Sequence, residues 1–368
     1  MEHFYFSAPG RVEISGNHTD HQHGCVLAAA IDMETRADVT LNGDNVIRVF
    51  SEGFAPCEVN LDNLSPVEGE KNTTASLVRG VAAAFDERGC KISGFDAHVT
   101  STVLPGSGLS SSAAFEVLMG RIINGLFFEN KLSAVEIARI GQYAENVYFG
   151  KPSGLMDQTA SSVGGLVFID FADPTAPVVE RVPFDFSYVG YTICTIDSGA
   201  SHADLTHEYA AIPTELKNLC AVFGKEYLRD VEEGEFYARI AEARKIAGDR
   251  AVLRAIHIFD ENKRVGEQVE ALKRGDFDAF LRGVMESGLS SLLYLQNITP
   301  TGEAFHQDMA VTLAVCKKIL NGKGAVRVHG GGFAGTALAV VPNDALKDFE
   351  EQVNRILGDG SCHVLHIV

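Results

Sequence analysis

Residues 105 to 120 read PGSGLSSSAAFEVLMG, a glycine and serine run that passes directly into an apolar, helix-patterned segment. Glycines allow unusual dihedrals and close backbone approach. The serines then open a helix whose first amide hydrogens have no partner within it, so the stretch predicts an anion cradle. No Gly-Lys-Ser or Gly-Lys-Thr follows, so this is not a Walker loop, and the lysine that meets phosphates there is missing. The dinucleotide pattern GxGxxG does not fit either. The plainer alternative is a Gly and Ser loop that only caps a helix.

Two further segments share this character. RVHGGGFAGTALAVV, Arg327 to Val341, sets three adjacent glycines between strand-like runs, more than a hairpin turn requires. It predicts close approach to a ligand or to another segment, or a tight steric turn. Near the start, APGRVEISGNHTDHQHG, Ala8 to Gly24, holds His18, Asp20, His21 and His23. These are metal-ligand types, but no Cys or Glu with recognisable spacing accompanies them, and one loop supplying every ligand would be unusual. A catalytic metal is therefore disfavoured, and a lone His is more often a hydrogen-bonded structural residue than a ligand.

The bulk properties set limits around these motifs. A chain of 368 residues, 46% of them hydrophobic, can bury more than one core, so two domains are expected. The formal charge of -18 repels phosphate backbones and anionic lipid, which argues against nucleic acid or a membrane surface as a partner. Any nucleotide would have to be held locally, by helix N-termini and a bound cation. Seven cysteines without CxxC spacing suggest neither a disulfide framework nor a zinc knuckle, and a reducing cytoplasm is expected. MEHFYFSAPGR lacks an export pattern, and no apolar run approaches the roughly 20 residues a bilayer needs.

Periodicity predicts helices at Thr74 to Asp86, Ser110 to Phe127 and Ala134 to Phe149, then a mostly helical stretch from Ala203 to Leu320 and a helix at Asp344 to Ile356. Strand character falls at Phe4 to Phe6, Ala37 to Leu41, Val46 to Phe50, Phe95 to Val103, Leu166 to Asp170 and Val189 to Ile196. It returns at Ala325 to His329, Thr336 to Val341 and His363 to Val368. A boundary is placed between Asp197 and Ser201, giving domains 1–197 and 198–368.

The three segments, in this order, resemble the GHMP kinase superfamily. Within it, PGRVEISGNHTDHQHGCVLAAAID resembles the galactokinase signature, and AENVYFGKPSGLMDQTAS, Ala144 to Ser161, is similar to the pattern AEHxFxGxPCGIMDQ. DSGASHADLTHEY, Asp197 to Tyr209, and ESGLSSLLYLQNIT, Glu286 to Thr299, are similar to later family stretches. The resemblance implies an α+β fold of two domains, the second with a ferredoxin-like portion, and ATP and sugar bound in the cleft between them. It implies that Gly106, Gly108, Ser110, Ser111 and Ser112 wrap the triphosphate, that Ser111 and Glu145 hold Mg2+, and that Arg11 and Asp157 are the catalytic pair. Asn17, His18, Asp20, Gly154 and Tyr209 would bind the sugar, leaving His21 and His23 facing solvent.

The implied activity is ATP-dependent phosphorylation of the C1 hydroxyl of galactose by a monomer or weak homo-oligomer. Three departures from the family pattern open alternatives. Asn17 stands where the family has Glu, and with Asp20, His21 and Gln22 it resembles uronic-acid kinases such as galacturonokinases, so a uronic acid or another hexose is a second substrate class. Ala334 interrupts the usual GGGFGG, and AAIPTELK replaces an Arg-rich run after Tyr209. A galactokinase-like sugar sensor without turnover is the reading from another class.

Overall fold

The computed structural model describes residues 2–103, 108–200 and 205–368. The chain divides into two compact units, residues 1–11, 29–165 and 368 in one and residues 12–28 and 166–367 in the other. The boundary expected at 197/198 therefore takes a different form. Two strands, β1 (His3–Ser15) and β2 (Cys25–Leu41), each contribute residues to both units, so no single cut separates them. The sequence pattern marks only Phe4 to Phe6 and Ala37 to Leu41 of them, and within β1 Pro9 and Gly10 are residues that usually punctuate strands.

In the first unit, β3 (Val46–Ser51), β4 (Cys57–Asn60) and β5 (Phe95–Ser101) build the order β4-β3-β5-β2, with β1 paired to β2. β5 runs parallel to β3 and antiparallel to β2. Helix α1 (Thr74–Asp86) matches its periodicity and buries Leu77, Val78, Val81, Ala82 and Phe85. With α2 (Ser111–Phe127) and α3 (Ala134–Tyr143) it covers a core that includes Val39, Ile47, Phe95, Leu118 and Ile122. The Ser133 and Glu136 capping box starts α3.

The helix expected to continue to Phe149 changes character at Ala144. Residues Ala144–Phe149 form a wider π turn, in which the amide of Gly150 donates to the Glu145 carbonyl at 3.0 Å. Such turns displace one side chain from the regular helical row. Gly80 of α1 lets the turn approach: a Cβ there would lie 2.8 Å from Cα and Cβ of Ala144. Helix α4 (Met156–Val163) completes the unit.

The second unit contains the hairpin β6 (Leu166–Asp170) and β7 (Val178–Arg181), then β8 (Tyr191–Asp197). A helical run follows: α5 (Thr206–Val222), α6 (Glu233–Ala238), α7 (Ile240–Ala247), α8 (Asp249–Lys273), α9 (Phe277–Ser290) and α10 (Asp308–Leu320). The chain ends with β9 (Ala325–Val328), β10 (Thr336–Pro342), α11 (Leu346–Leu357) and β11 (Cys362–Leu365). The order β11-β8-β10-β9, all pairs antiparallel, is the ferredoxin-like βαββαβ arrangement with extra helices inserted after its first strand. Its core joins Ile196, Val328, Ala339 and Val341 to Met309, Cys316, Phe349 and Val353. Among the described residues, no helix is long and apolar enough to cross a membrane.

Gly80→Val is expected to lower stability by about 1–3 kcal/mol through overpacking against the π turn, measured as the urea midpoint, with Gly80→Ala affected less.

Candidate active site

Strand β1 carries Arg11 into a three-way junction. Its Nε donates to Asp157 Oδ1 at 2.6 Å and its Nη2 to Oδ2 at 2.8 Å, a bidentate pair. Nη1 donates to the Gly108 carbonyl, and the Arg11 amide donates to the Leu109 carbonyl at 3.1 Å. The Ser110 hydroxyl donates to Asp157 Oδ2. Strand β1, the loop before α2 and the first turn of α4 thus meet on one carboxylate. Asp157 is not a capping residue, since Leu155 holds the cap position and no side-chain cap bond is made.

Burial alone would raise the Asp157 pKa. The Arg11 charge and hydrogen bonds, the Ser110 bond and the Lys151 charge outweigh it and hold the carboxyl below its usual range. Ser110 sits at the N-cap of α2 in the left-handed region, φ 60°, and Gly108 has φ 74°. This is the contorted entry that the glycine and serine pattern predicts. Gly106 lies outside the described residues.

A second carboxylate lies in the same unit. Glu145, on the π turn, is buried; its Oε1 accepts from Lys151 Nζ at 3.0 Å and from Ser112 Oγ at 3.3 Å, and its Oε2 from Gln158 Nε2 at 3.0 Å. The serine brought to Glu145 is Ser112, one position beyond the expected Ser111, which begins α2. One residue is about 100° of helical rotation, enough to exchange which hydroxyl faces a neighbour. Behind Glu145, Gln158 also donates to Glu116 at 2.9 Å. Burial and then the negative charge of Glu145 push the Glu116 carboxyl well above the carboxylate range.

Glu145 and Ser112 fit Mg2+: both offer hard oxygens, and magnesium needs few protein ligands when phosphates and water complete its shell. Among the described residues, no group of three or more His, Cys, Asp or Glu could hold a metal by itself. Gly154 is exposed in the turn before α4, next to Ser153, whose amide donates to Asn146 Oδ1 at 2.7 Å.

In the second unit, the stretch 15–25 is fastened along one face of α8. His257 Nε2 meets the Asn17 carbonyl at 2.9 Å. One turn on, Glu261 Oε1 accepts from the amides of Gly16 and Asn17 at 3.1 and 3.3 Å. Asn262 Oδ1 accepts from the Cys25 amide at 2.9 Å, and the Ser15 hydroxyl donates to Gln268. None of these α8 residues stood out in the sequence; the only signal was polar residues recurring on one side of a helix.

Asn17 requires a correction. It is fully buried, its Nδ2 donates to the Gly330 carbonyl at 2.6 Å and to Glu13 at 3.2 Å, and its Oδ1 accepts from Asn297 at 2.8 Å and Ser291 at 3.3 Å. The amide is committed to the protein, so it is a bracket for the glycine loop rather than a sugar-facing group. Glu13 in turn pairs with the fully buried Arg327, whose Nη1 donates to the Ile14 carbonyl at 2.8 Å.

His18 bridges the same loop, with Nε2 3.0 Å from the Gly331 carbonyl and Nδ1 2.9 Å from His21 Nε2. His21 therefore packs inward rather than facing solvent, and burial, then the His18 charge, lower its pKa to about 3. His23 stacks on Tyr227 with ring centroids 3.6 Å apart. Asp20 opens a short 3-10 turn, Asp20–Gln22, and is half-buried.

Tyr209 braces the loop from the other side, its hydroxyl donating to the Gly332 carbonyl at 2.9 Å. A Cβ on Gly331 would lie 2.7 Å from the Tyr209 ring, and one on Gly332 would lie 2.1 Å from the Asn297 carbonyl oxygen. The glycine cluster is thus a close-approach device, while Phe333 takes φ 56° and Ala334 is buried.

Comparison with known proteins gives this arrangement its class. Residues 76–165 match the family described as GHMP kinases N terminal domain, and residues 1–40 match the galactokinase galactose-binding signature. The mevalonate kinase of Methanococcus jannaschii shares the fold at a TM-score of 0.70 and 15% identity, covering 100% of this chain and 99% of that one. Lactococcus lactis galactokinase, solved with galactose, superposes at a TM-score of 0.82 with 25% identity over 100% of this chain and 94% of that one. A galactokinase of Streptomyces coelicolor is 33% identical over 91% of this chain and 84% of its own length. One of Actinobacillus pleuropneumoniae serotype 3 is 32% identical over 97% and 91%. The chain belongs to the galactokinase family of GHMP kinases, and so to the sugar-kinase phosphotransferases.

Asn17→Glu is expected to lose about 3–5 kcal/mol of stability, because it sets a second buried negative charge against Glu13, and a denaturant titration measures this. His257 is fully buried, and burial lowers its pKa to about 4 from an ordinary 6.5. Between those values the unfolded chain takes up a proton that the folded one refuses, so stability falls as pH drops. From pH 7 to 5 the loss is roughly 2 kcal/mol, and His257→Gln should flatten that slope in urea titrations at a series of pH values.

Proposed function

We propose that the protein phosphorylates the C1 hydroxyl of galactose with ATP. The observation that carries this reading is the bidentate Arg11–Asp157 pair, tied by Ser110 to the N-terminus of α2. A phosphoryl group in flight spreads negative charge over its oxygens, and catalysis is mainly alignment plus cations and amide dipoles aimed at that charge. The turn at Gly108 and the first amides of α2 supply the dipoles, and Arg11 supplies a fixed guanidinium. Mg2+ held by Ser112 and Glu145 would neutralise charge on the phosphate oxygens.

The depressed pKa of Asp157 supports a particular role. A carboxylate so held is ionised at neutral pH yet a weak base, so it orients the anomeric hydroxyl and takes its proton late, as the new O–P bond forms. In a loose transition state little is gained by earlier removal. The inward-facing Asn17 amide gives no support to selection of a uronic acid at that residue.

ADP release measured with galactose, galacturonate and glucuronate tests the proposal. Galactose should drive turnover, and Asp157→Asn should lower kcat by about 10²–10⁴. Arg11→Met should raise the Asp157 pKa and move the acid limb of kcat/KM to higher pH. Binding of galactose with ADP release at background for all three sugars would replace the kinase with a sensor.

A further inference from the structure

We propose that Lys151 is the cation the phosphate loop lacks: its ammonium holds Glu145 until a divalent cation arrives with the nucleotide, and is then exchanged onto the triphosphate. This rests on the kinase reading above. The loop from 105 to 112 contains no lysine or arginine, although a triphosphate carries several negative charges. Among the described residues, the one ammonium bound at the candidate cation ligands is that of Lys151, 3.0 Å from Glu145 Oε1. That same oxygen accepts from Ser112, so Nζ occupies one of the two hard oxygens that suit Mg2+.

The two ends of the ion pair differ. Glu145 is anchored, with its side chain 3% exposed and its other oxygen held by Gln158, whereas the Lys151 side chain is 59% exposed. The Lys151 backbone is also fixed, its amide donating to the Glu145 carbonyl at 3.1 Å after the left-handed Gly150. Only the four-carbon stem is free to swing. A divalent ion on the same carboxylate oxygen is repelled by the ammonium, so the two compete for Glu145 Oε1. Released ammonium stays in the field of the site, since its charge already acts on Asp157. Lysine suits such exchange because it is a compact, flexible point charge rather than a planar fork.

Lys151→Met in the full chain tests the exchange. In thermal unfolding without nucleotide, the variant should respond to MgCl2 at several-fold lower concentration than wild type, because no ammonium competes for Glu145. By calorimetry, a non-hydrolysable ATP analogue with Mg2+ should bind the variant about tenfold more weakly, as expected for one lost charge-assisted contact, while ADP affinity changes little. Lys151→Arg, which keeps the charge, should recover most of the analogue affinity. Equal MgCl2 responses in wild type and Lys151→Met overturn the exchange, and equal analogue affinities overturn the phosphate contact. A wild-type chain that binds neither nucleotide sinks the kinase reading itself, and this proposal with it.

Discussion

One carboxylate organises the first unit. Asp157 receives a two-pronged guanidinium from β1 and a hydroxyl from the entry to α2, so three segments far apart in the chain converge on its two oxygens. A group in that position faces a conflict, because burial favours the neutral acid while its partners favour the anion. The partners win, and the anion fixes the positions of the loop and the strand. The geometry proposed to serve the chemistry is therefore also what closes the local fold.

The second unit solves a different problem. An irregular stretch, 15–25, carries backbone amides and carbonyls that no sheet satisfies, and α8 answers them with a row of polar side chains at helical spacing. Burying such groups is tolerable only when each finds a partner. The glycine loop depends on the same network, since Asn17, His18 and Tyr209 grip its carbonyls at Gly330, Gly331 and Gly332. Ala334 is accommodated within this bracing: it is buried, and its amide donates to the Gly332 carbonyl at 2.6 Å.

Much of this was legible from residue order. Helix Thr74–Asp86 and strands Val46–Ser51 and Leu166–Asp170 follow their apolar periodicity closely, because each buries one regular face or run. The glycine and serine entry to α2 was equally plain, because few other structures need that composition. What could not be read were roles decided by distant neighbours. Asn17 reads as a ligand contact until the carbonyl of Gly330 arrives from 313 residues away and occupies its amide. The shift from Ser111 to Ser112 has the same origin, since helical phase relative to Glu145 is set by packing and not by pattern. The π turn looked like plain helix, because the composition of AENVYF does not distinguish the two.

The fastening of residues 15–25 to α8 also bears on how the polypeptide is made. His257 lies 240 positions after Asn17, so at ordinary elongation rates the nascent amino-terminal stretch waits roughly 10 to 50 seconds before its partners leave the ribosome. During that interval the amides of Gly16, Asn17 and Cys25 lack the α8 side chains that accept from them, and β1 and β2 cannot settle fully into either unit. Assembly of this part of the fold is thus delayed until late in translation.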